Sequence, residues 1–417
     1  MKIKPTCRPK CQACRRAFVR PLLILSTALL SVAGLSEAVP ILEKIDLFEE
    51  QQNGFVLYRI PGVVVTAKGT VLAYCEARKY TVADRGEIEI HLRRSTDGGS
   101  TWGPRTQVAH LGPRLPRNPH MPEDKRNKNM GGPNEQTVNN PVAIADSNGA
   151  VHFVYGVEYM RSFYIRSDDD GITWSRPVEI TSTFEQFRTD CDWQAIATGP
   201  GHGIQLRTGR LVVPVWIATY EGNLPIKKAS SVIFSDDGGA TWQRGDIAIV
   251  GGGECIAAEL SDGRVILNAR NSFPENRRAI AFSRDGATGW SQTEFAEELL
   301  EPGCMAGLVS HPGTAETKKP SLLFSNPNTT DRPHSARRNV TIKLSYDDGR
   351  TWPLSKVLQP GPSAYSDMAV LPDGTILCFY ESGRPGADRP NRPWQYACLR
   401  IARFNLEWLM NEKESMK

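Results

Sequence analysis

The sequence has few of the features that mark a metal-dependent or phosphate-binding enzyme. Its seven histidines are scattered along the chain, and they form neither a His-Glu-x-x-His pattern nor a close His/Asp cluster of the kind that holds zinc. No glycine-rich phosphate loop stands out either. We therefore expect neither a metal ion nor another cofactor.

An excess of charge of one sign is also lacking. The formal net charge is +4 over 417 residues, and removing residues 1–38 leaves −2. A nucleic-acid-binding protein would carry a basic face in its folded part, so no nucleic-acid partner is expected. Any anionic substrate must therefore be bound by a few local arginines and not by a broad positive field.

Long apolar runs are almost absent. The main one, residues 22–35, has about 14 mainly apolar residues, which is short for a membrane span. It follows a basic stretch and precedes Ser36-Glu37-Ala38, as in a signal peptide. We predict a cleaved signal peptide at 1–38, with an uncleaved anchor as the alternative, and a mature chain without a membrane span. The protein would be extracellular or periplasmic, or lysosomal in a eukaryote.

Cysteine use is consistent with export but says little more. Three of the nine cysteines lie in the predicted leader, and six remain in the mature chain. Export permits disulfides, but their pairing cannot be read from the sequence.

A repeated turn motif organises the rest of the chain. The pattern Ser-x-Asp-x-Gly-x-Thr-Trp occurs without a mismatch at Ser95–Trp102, Ser167–Trp174, Ser235–Trp242 and Ser345–Trp352. A degraded copy runs from Ser283 to Trp290. The Asp carboxylate suits hydrogen bonds from turn amides, Gly suits a positive φ, and the Trp ring can cover the turn. We predict structural hairpin turns that do not touch substrate.

A second repeat predicts buried strands. It is a Gly, or in one copy a Pro, followed by an apolar run, at Gly69–Tyr74, Gly149–Tyr155, Gly209–Val215, Gly263–Leu267, Pro320–Ser325 and Gly374–Tyr380. Near-continuous apolar runs are typical of strands buried on both faces. Six such strands, about 60 residues apart, predict an all-β, six-bladed β-propeller of four-stranded antiparallel blades over residues 39–417. A β-sandwich is the alternative.

One stretch, residues 103–140, has no apolar period and is rich in Pro, Asn, Gly, Arg and Lys. Loops of this length tend to be functional, so we interpret it as an insertion on the propeller rim.

Polar residues follow three of the predicted buried strands, where a propeller would gather them near its axis. They are Glu76, Arg78, Asn268, Arg270, Tyr380 and Glu381. For any one of them, a structural salt bridge is the simpler interpretation.

Several segments resemble those of the sialidase family. Tyr58-Arg59-Ile60-Pro61 resembles its [FY]RIP motif, and the repeated turns resemble its Asp boxes. Further resemblances are found at 254–260, 268–270, 337–341 and 361–366. The likeness spans about residues 53–405 and is greatest to lysosomal and bacterial exo-α-sialidases.

The resemblance implies an arginine clamp for the carboxylate of a 2-keto acid sugar. Arg59, Arg270 and Arg337 would form it, because planar guanidinium groups donate paired hydrogen bonds to carboxylates. Arg338 is adjacent to Arg337, and the choice between the two stays open. By the same resemblance Glu381 would orient Arg59. Arg78 is a candidate contact for a ring hydroxyl.

The resemblance also implies the catalytic residues. Tyr365 would be the nucleophile, Glu254 its base and Asp84 the acid/base, in retaining hydrolysis of terminal α-linked sialic acid. A phenol avoids the repulsion that a carboxylate nucleophile would meet at an anomeric carbon bearing a carboxylate. Sialylated glycans would be the partners. A related keto-sugar substrate, transfer to a sugar acceptor and a non-catalytic lectin stay open as alternatives, and the oligomeric state is not indicated.

Overall fold

The computed structural model describes residues 39–110, 114–116, 135–221, 224–313, 320–331, 337–383 and 394–411. The predicted signal peptide, 1–38, lies outside the described residues. Within the described part of the chain, no helix has the length and apolar character needed to cross a membrane.

Short strands account for most of the described chain. In chain order they are β1 (Leu42–Glu49), β2 (Leu57–Val65), β3 (Val71–Arg78), β4 (Ile88–Ser95), β5 (Thr106–Ala109), β6 (Val138–Ala145), β7 (Val151–Val157), β8 (Arg161–Ser167), β9 (Val178–Glu179), β10 (Ala195–Thr198), β11 (Gly201–His202), β12 (Ile204–Gln205), β13 (Leu211–Glu221), β14 (Leu224–Ser235), β15 (Gln243–Arg244), β16 (Ile249–Val250), β17 (Gly252–Glu259), β18 (Val265–Asn271), β19 (Arg277–Ser283), β20 (Glu294–Leu300), β21 (Gly307–His311), β22 (Ser321–Pro327), β23 (Arg338–Ser345), β24 (Leu354–Val370), β25 (Ile376–Ser382) and β26 (Cys398–Phe404). Helical segments are short: α1 (Thr181–Glu185), a 3-10 turn (Gln186–Thr189) and α2 (Leu406–Met410).

The strands of the described residues form five sheets. Three of them run β2-β3-β4-β5, β17-β18-β19-β20 and β11-β6-β7-β8-β9. A fourth runs β10-β13-β14-β15, with β12 and β16 attached, and the fifth runs β1-β26-β25-β24-β23-β22-β21. The predicted set of six separate four-stranded sheets is therefore not seen as such, because β24 is continuous between two groups of strands.

Strand β24 explains the seven-stranded sheet. Its first part, from Leu354 to Pro362, pairs with β23, and its second part, from Ser363 to Val370, pairs with β25. The first strand, β1, pairs with the last, β26, and so forms the outer edge of this sheet. The two ends of the described chain are thereby joined in one sheet.

The sheets pack side by side in a ring. Strand β2 contacts β6 of the following sheet and β24 of the last, and β17 contacts both β13 and β21. Apolar side chains fill the space between neighbouring sheets, as where Leu72 and Tyr74 pack with Ala143 and Phe153. The predicted all-β propeller fold is confirmed.

The predicted buried strands are present, but they are not the innermost ones. Strands β3, β7, β22 and β25 are buried along their whole length. Each is second in its group, next to β2, β6, β21 or β24. A second strand reads as a continuous apolar run because sheets flank both of its faces.

The repeated turns have the predicted hydrogen bonds. In the first copy, Asp97 accepts from the Thr101 amide at 2.9 Å, and Ser95 Oγ accepts from the Gly99 amide at 2.8 Å. Gly99 has φ +89°, and Trp102 Nε1 donates to its carbonyl at 3.0 Å. These residues serve turn geometry, as expected.

The sequence suggested that residues 103–140 contain no strand, but the structure shows two strands that overlap this stretch. Residues Thr106–Ala109 form β5, the outer strand of the first sheet, and β6 begins at Val138. A four-residue edge strand whose first two residues are exposed carries too little apolar pattern to be recognised. Residues 111–113 and 117–134 lie outside the described part.

All six cysteines of the described residues are free thiols: Cys75, Cys191, Cys255, Cys304, Cys378 and Cys398. Cys7, Cys11 and Cys14 belong to the predicted signal peptide and lie outside the described residues.

Candidate active site

A pocket of about 410 Å³ lies where the inner strands carry their polar residues. Six of the eight residues predicted from sequence line it: Arg59, Asp84, Glu254, Arg270, Arg337 and Tyr365. They come from β2, the loop between β3 and β4, β17, β18, the residue before β23, and β24. Residues separated by up to 306 positions thus share one pocket.

β-Bulges position several of these side chains. The pairing register shifts at 59–62 in β2, 139–142 in β6, 252–255 in β17 and 363–366 in β24. A bulge bends a strand and redirects a side chain. At the first bulge Ile60 has φ +62°, an uncommon conformation for a β-branched residue. The strained backbone lies directly beside Arg59, as is common at functional sites.

Arg59 is held from behind by Glu381. Its Nε and Nη2 donate to the two carboxylate oxygens at 2.8 and 3.3 Å, and Glu381 is fully buried. The same carboxylate accepts from the amides of Ile60 at 3.2 Å and Tyr365 at 3.0 Å. Glu381 therefore fixes the Arg59 guanidinium relative to the strand that carries Tyr365. Tyr396 stacks on this guanidinium, with its ring centre 4.2 Å away.

The structure separates Arg337 from Arg338. Arg337 lines the pocket, is 2% exposed, and donates to the Gly303 carbonyl and, at 3.4 Å, to the Tyr396 hydroxyl. Arg338 faces away and pairs with the exposed carboxylate of Asp331 at 2.6 Å. A one-residue step along an extended chain reverses the side-chain direction, so only Arg337 can contribute to this pocket.

Tyr365, Glu254 and Arg270 form a compact hydrogen-bonded group. The Tyr365 hydroxyl donates to Glu254 at 2.6 and 2.8 Å. Arg270 Nη1 donates to Glu254 at 2.6 Å and to the Tyr365 oxygen at 2.8 Å. A phenol, a carboxylate and a guanidinium are thus joined in a single hydrogen-bonded network.

Burial and the charges in this group together set the direction of each pKa. Burial raises the pKa of Tyr365 well above its usual value, and the Glu254 charge raises it further. Burial also tends to raise the pKa of Glu254, but the Arg270 charge and the Tyr365 hydrogen bond outweigh it, so that the pKa falls below its usual value. The proton of the pair therefore resides on Tyr365 in the free protein.

Asp84 lies at the pocket mouth between two arginines. Its Oδ1 is 2.9 Å from Arg78 Nη1 and 3.3 Å from Arg59 Nη1, and 66% of its side-chain surface is accessible. Loss of hydration raises the pKa of Asp84, but the charges of Arg78 and Arg59 outweigh this and hold the pKa well below its usual value. Asp84 is a carboxylate in the free protein.

Arg78 does not occupy the place expected for a ring-hydroxyl contact. Its side chain is fully buried, is absent from the pocket lining, and donates to Glu76 at 2.7 Å and to the Val82 carbonyl at 3.0 Å. It lies behind Asp84 and holds both that carboxylate and its loop. The position of Arg78 at the end of a buried strand predicted that it lies near the site. The sequence did not show that Asp84 would lie between Arg78 and the pocket.

The pocket also contains residues that the motifs did not indicate. They include Tyr159, Trp216, Tyr220, Lys228 and Tyr396. Trp216, Tyr220 and Lys228 belong to the β13–β14 hairpin, whose strands of 11 and 12 residues exceed most others. Outside this set, His202 lies in β11 and pairs with buried Asp367 at 2.7 Å.

Comparison with known proteins gives a consistent result. The family model described as a BNR repeat-like domain matches residues 69–378. A sialidase of Micromonospora viridifaciens is 33% identical over 95% of this chain, which spans 60% of that protein's length. Sialidase-2 of Rattus norvegicus is 30% identical, with 83% of this chain and 94% of that protein covered.

A solved structure agrees with these relatives. The Hadza microbial sialidase Hz136 superposes with a TM-score of 0.71 at 28% identity, covering 88% of this chain and 69% of that one. The residues that the family model matches, 69–378, contain the repeated turns and most of the pocket residues. The chain belongs to the sialidase family of BNR repeat-like, β-propeller proteins.

Proposed function

We propose that this pocket hydrolyses terminal α-linked sialic acid from glycoconjugates, with retention of configuration, through a glycosyl intermediate on Tyr365. The observation that carries the proposal is the Tyr365 hydroxyl, 2.6 Å from Glu254 and 2.8 Å from Arg270, inside a pocket that Arg59 and Arg337 also line. A lectin would need the arginines but not a phenol paired with a base.

The arginines supply the carboxylate site. Arg59 and Arg337 both lie against the Tyr365 ring, with guanidinium carbons 5.2 and 5.3 Å from its centre. Arg337 has no carboxylate partner among the described residues, and a substrate carboxylate would provide one. Glu381 and Tyr396 fix Arg59 before substrate arrives, so little ordering is left to be done on binding.

The substrate carboxylate would also prepare the nucleophile. As it draws on the charge of Arg270, Glu254 loses part of the interaction that lowers its pKa and becomes a better base. The phenolic proton then passes from Tyr365 to Glu254 while the phenolate oxygen attacks the anomeric carbon. Arg270, which donates to that oxygen, stabilises its developing charge.

Asp84 would protonate the departing glycosidic oxygen and later take a proton from the water that releases the sugar. In the free protein it is ionised, because Arg78 and Arg59 both face it. A substrate carboxylate on Arg59 compensates one of these charges. The acid is therefore proposed to acquire its proton as substrate binds.

This coupling predicts proton uptake on ligand binding. An unsaturated (2,3-didehydro) sialic acid should bind with uptake of a proton at pH values between the lowered pKa of free Asp84 and its raised pKa in the complex, so its affinity should rise as the pH falls through that window. Titration calorimetry in buffers of different ionisation enthalpy measures the uptake. Arg270, Arg78 and Glu76 also face this region, and Asp84→Asn isolates the contribution of Asp84. Equal uptake in the variant would contradict the assignment.

The proposed function is tested by product analysis. A monosialylated trisaccharide should release free sialic acid whose first-formed anomer, followed by proton NMR, is the α form of the substrate. A first-formed β anomer would contradict the tyrosyl intermediate. Glycosides of other 2-keto acid sugars as parallel substrates test the sugar class, and a sialylated acceptor in place of free sugar would indicate transfer.

Two further proposals concern the whole chain. We infer that the seven-stranded sheet comprises two four-stranded blades that share β24, which would make the ring six-bladed; the change of partner at residues 362–363 supports this. We also propose that residues 1–38 are removed on export and that 39–417 form the catalytic domain.

A further inference from the structure

The β13–β14 wall of the pocket carries a lysine that the proposed chemistry does not use. Lys228 on β14 pairs in register with Ala218 on β13, lines the pocket and is half-buried. Within the described part of the chain, the side chain of Lys228 makes no hydrogen bond or ion pair. Burial lowers the pKa of Lys228 and the charge of Arg270 lowers it further, whereas Glu254 raises it. The ammonium group thus lacks both full hydration and a counter-ion of its own.

In the substrate complex, before the phenolic proton moves, the charges of the pocket balance except for that of this lysine. Besides Arg85, which stacks on Tyr159, the cationic groups of the wall are Arg59, Arg270, Arg337 and Lys228. Glu381 compensates Arg59 and Glu254 compensates Arg270. The sialic acid carboxylate, shared among the three arginines, adds the third negative charge that balances them, and Asp84 is neutral once it has taken up its proton.

An unpaired charge that is partly removed from water raises the free energy of the complex. A second anion beside the charge would offset this desolvation cost. We propose that Lys228 makes the site selective for glycans that carry a second anionic group close to the sialic acid being removed. This inference rests on the proposed function. The chemistry required is a small oxyanion on the same glycan, namely the carboxylate of an adjoining sialic acid or a sulfate ester on the adjoining sugar.

The neighbouring side chains suit such a glycan. Trp216 lines the pocket next to this lysine on the paired strand, and its ring centre is 6.2 Å from that of Tyr159. Aromatic faces pack against the apolar faces of sugar rings, while the lysine meets the charge. The hairpin therefore offers both parts of a site for an anionic saccharide unit.

The test compares kcat/KM for three substrates with the full chain: a sialyllactose, the same sugar extended to a disialyl unit, and a sulfated sialyllactose. A charge-assisted contact contributes roughly a tenfold factor, so one or both dianionic substrates should be preferred by about that factor. In Lys228→Met the preference should be lost, and in Lys228→Arg it should be retained. Lys227→Met is the matched control, since Lys227 is the exposed neighbour and its loss should leave the preference intact.

The substrate ratio is informative whatever the absolute rate of a variant. A preference confined to the disialyl substrate identifies the carboxylate as the second group, and one confined to the sulfated substrate identifies the sulfate. Equal kcat/KM for all three substrates in the wild type, or a ratio unchanged in Lys228→Met, would overturn the inference and leave the proposed function standing. No hydrolysis of any of the three would overturn both.

Discussion

Replacing Tyr365 with Phe should lower kcat toward a monosialylated oligosaccharide by about 10³-fold or more, as expected for loss of a nucleophile. Only the phenolic oxygen is removed, and with it the atom that lies 2.6 Å from Glu254 and 2.8 Å from Arg270. The ring, which packs under two guanidinium groups, remains. KM should therefore change far less than kcat.

Tyr380→Phe is the matched control for this experiment. Tyr380 is fully buried on the adjacent strand β25, and its hydroxyl contacts Gln359 at 3.1 Å, away from the pocket lining. Its loss also removes one phenolic oxygen, and kcat should stay near that of the wild type. If Tyr365→Phe were no less active than this control, Tyr365 would not be the nucleophile.

The parts of the fold that follow from local chemistry could be predicted from the sequence. Each repeated turn depends on residues within eight positions, as with Ser95, Asp97 and Gly99, so the pattern itself encodes the geometry. The buried second strands were recognisable because both of their faces are covered. Strand β5 was missed because an edge strand has only a weak apolar pattern.

The site depended on non-local geometry that a sequence pattern does not encode. A bulge adds one residue to one strand, and the register shift at 363–366 becomes visible only when β24 is paired with β25. Arg78 was expected on the pocket wall, but Asp84 and Glu76 enclose it. No sequence motif indicated Lys228 or Tyr396 as pocket residues. The position of Lys228 depends on the length of the β13–β14 hairpin, and that of Tyr396 depends on its packing against Arg59.

Arg337 illustrates a register question that pairing resolves. Arg337 and Arg338 are identical in type and adjacent in the sequence, so the motif alone hardly distinguishes them. The pairing of Arg338 with Pro362 begins strand β23, which directs Arg338 outward to Asp331 and leaves Arg337 at the pocket. The identity of the third arginine therefore depends on where the strand starts.

Asp84→Asn should have the second large effect, and its size should depend on the leaving group. With a natural sialoside, whose sugar alkoxide leaves poorly without a proton, kcat/KM should fall by about 10³-fold, a typical contribution of a general acid. With a 4-nitrophenyl sialoside the leaving group needs little protonation, so kcat/KM should fall much less. Asn keeps the size of the side chain and hydrogen-bonding capacity toward Arg78 and Arg59, so the positions of these arginines should be preserved.

The same variant should separate the two halves of the reaction. Because Asp84 is also proposed to activate the water that releases the sugar, the nitrophenyl substrate should give a burst of nitrophenol equal to the enzyme concentration, followed by a slow steady rate. Asp192→Asn, at a carboxylate that is 91% exposed and pairs with Arg188, is the control and should show no burst beyond that of the wild type. Equal losses on both substrates would mean that Asp84 shapes the pocket without transferring a proton. Its low pKa in the free protein would then reflect only the ion pairs that hold the loop.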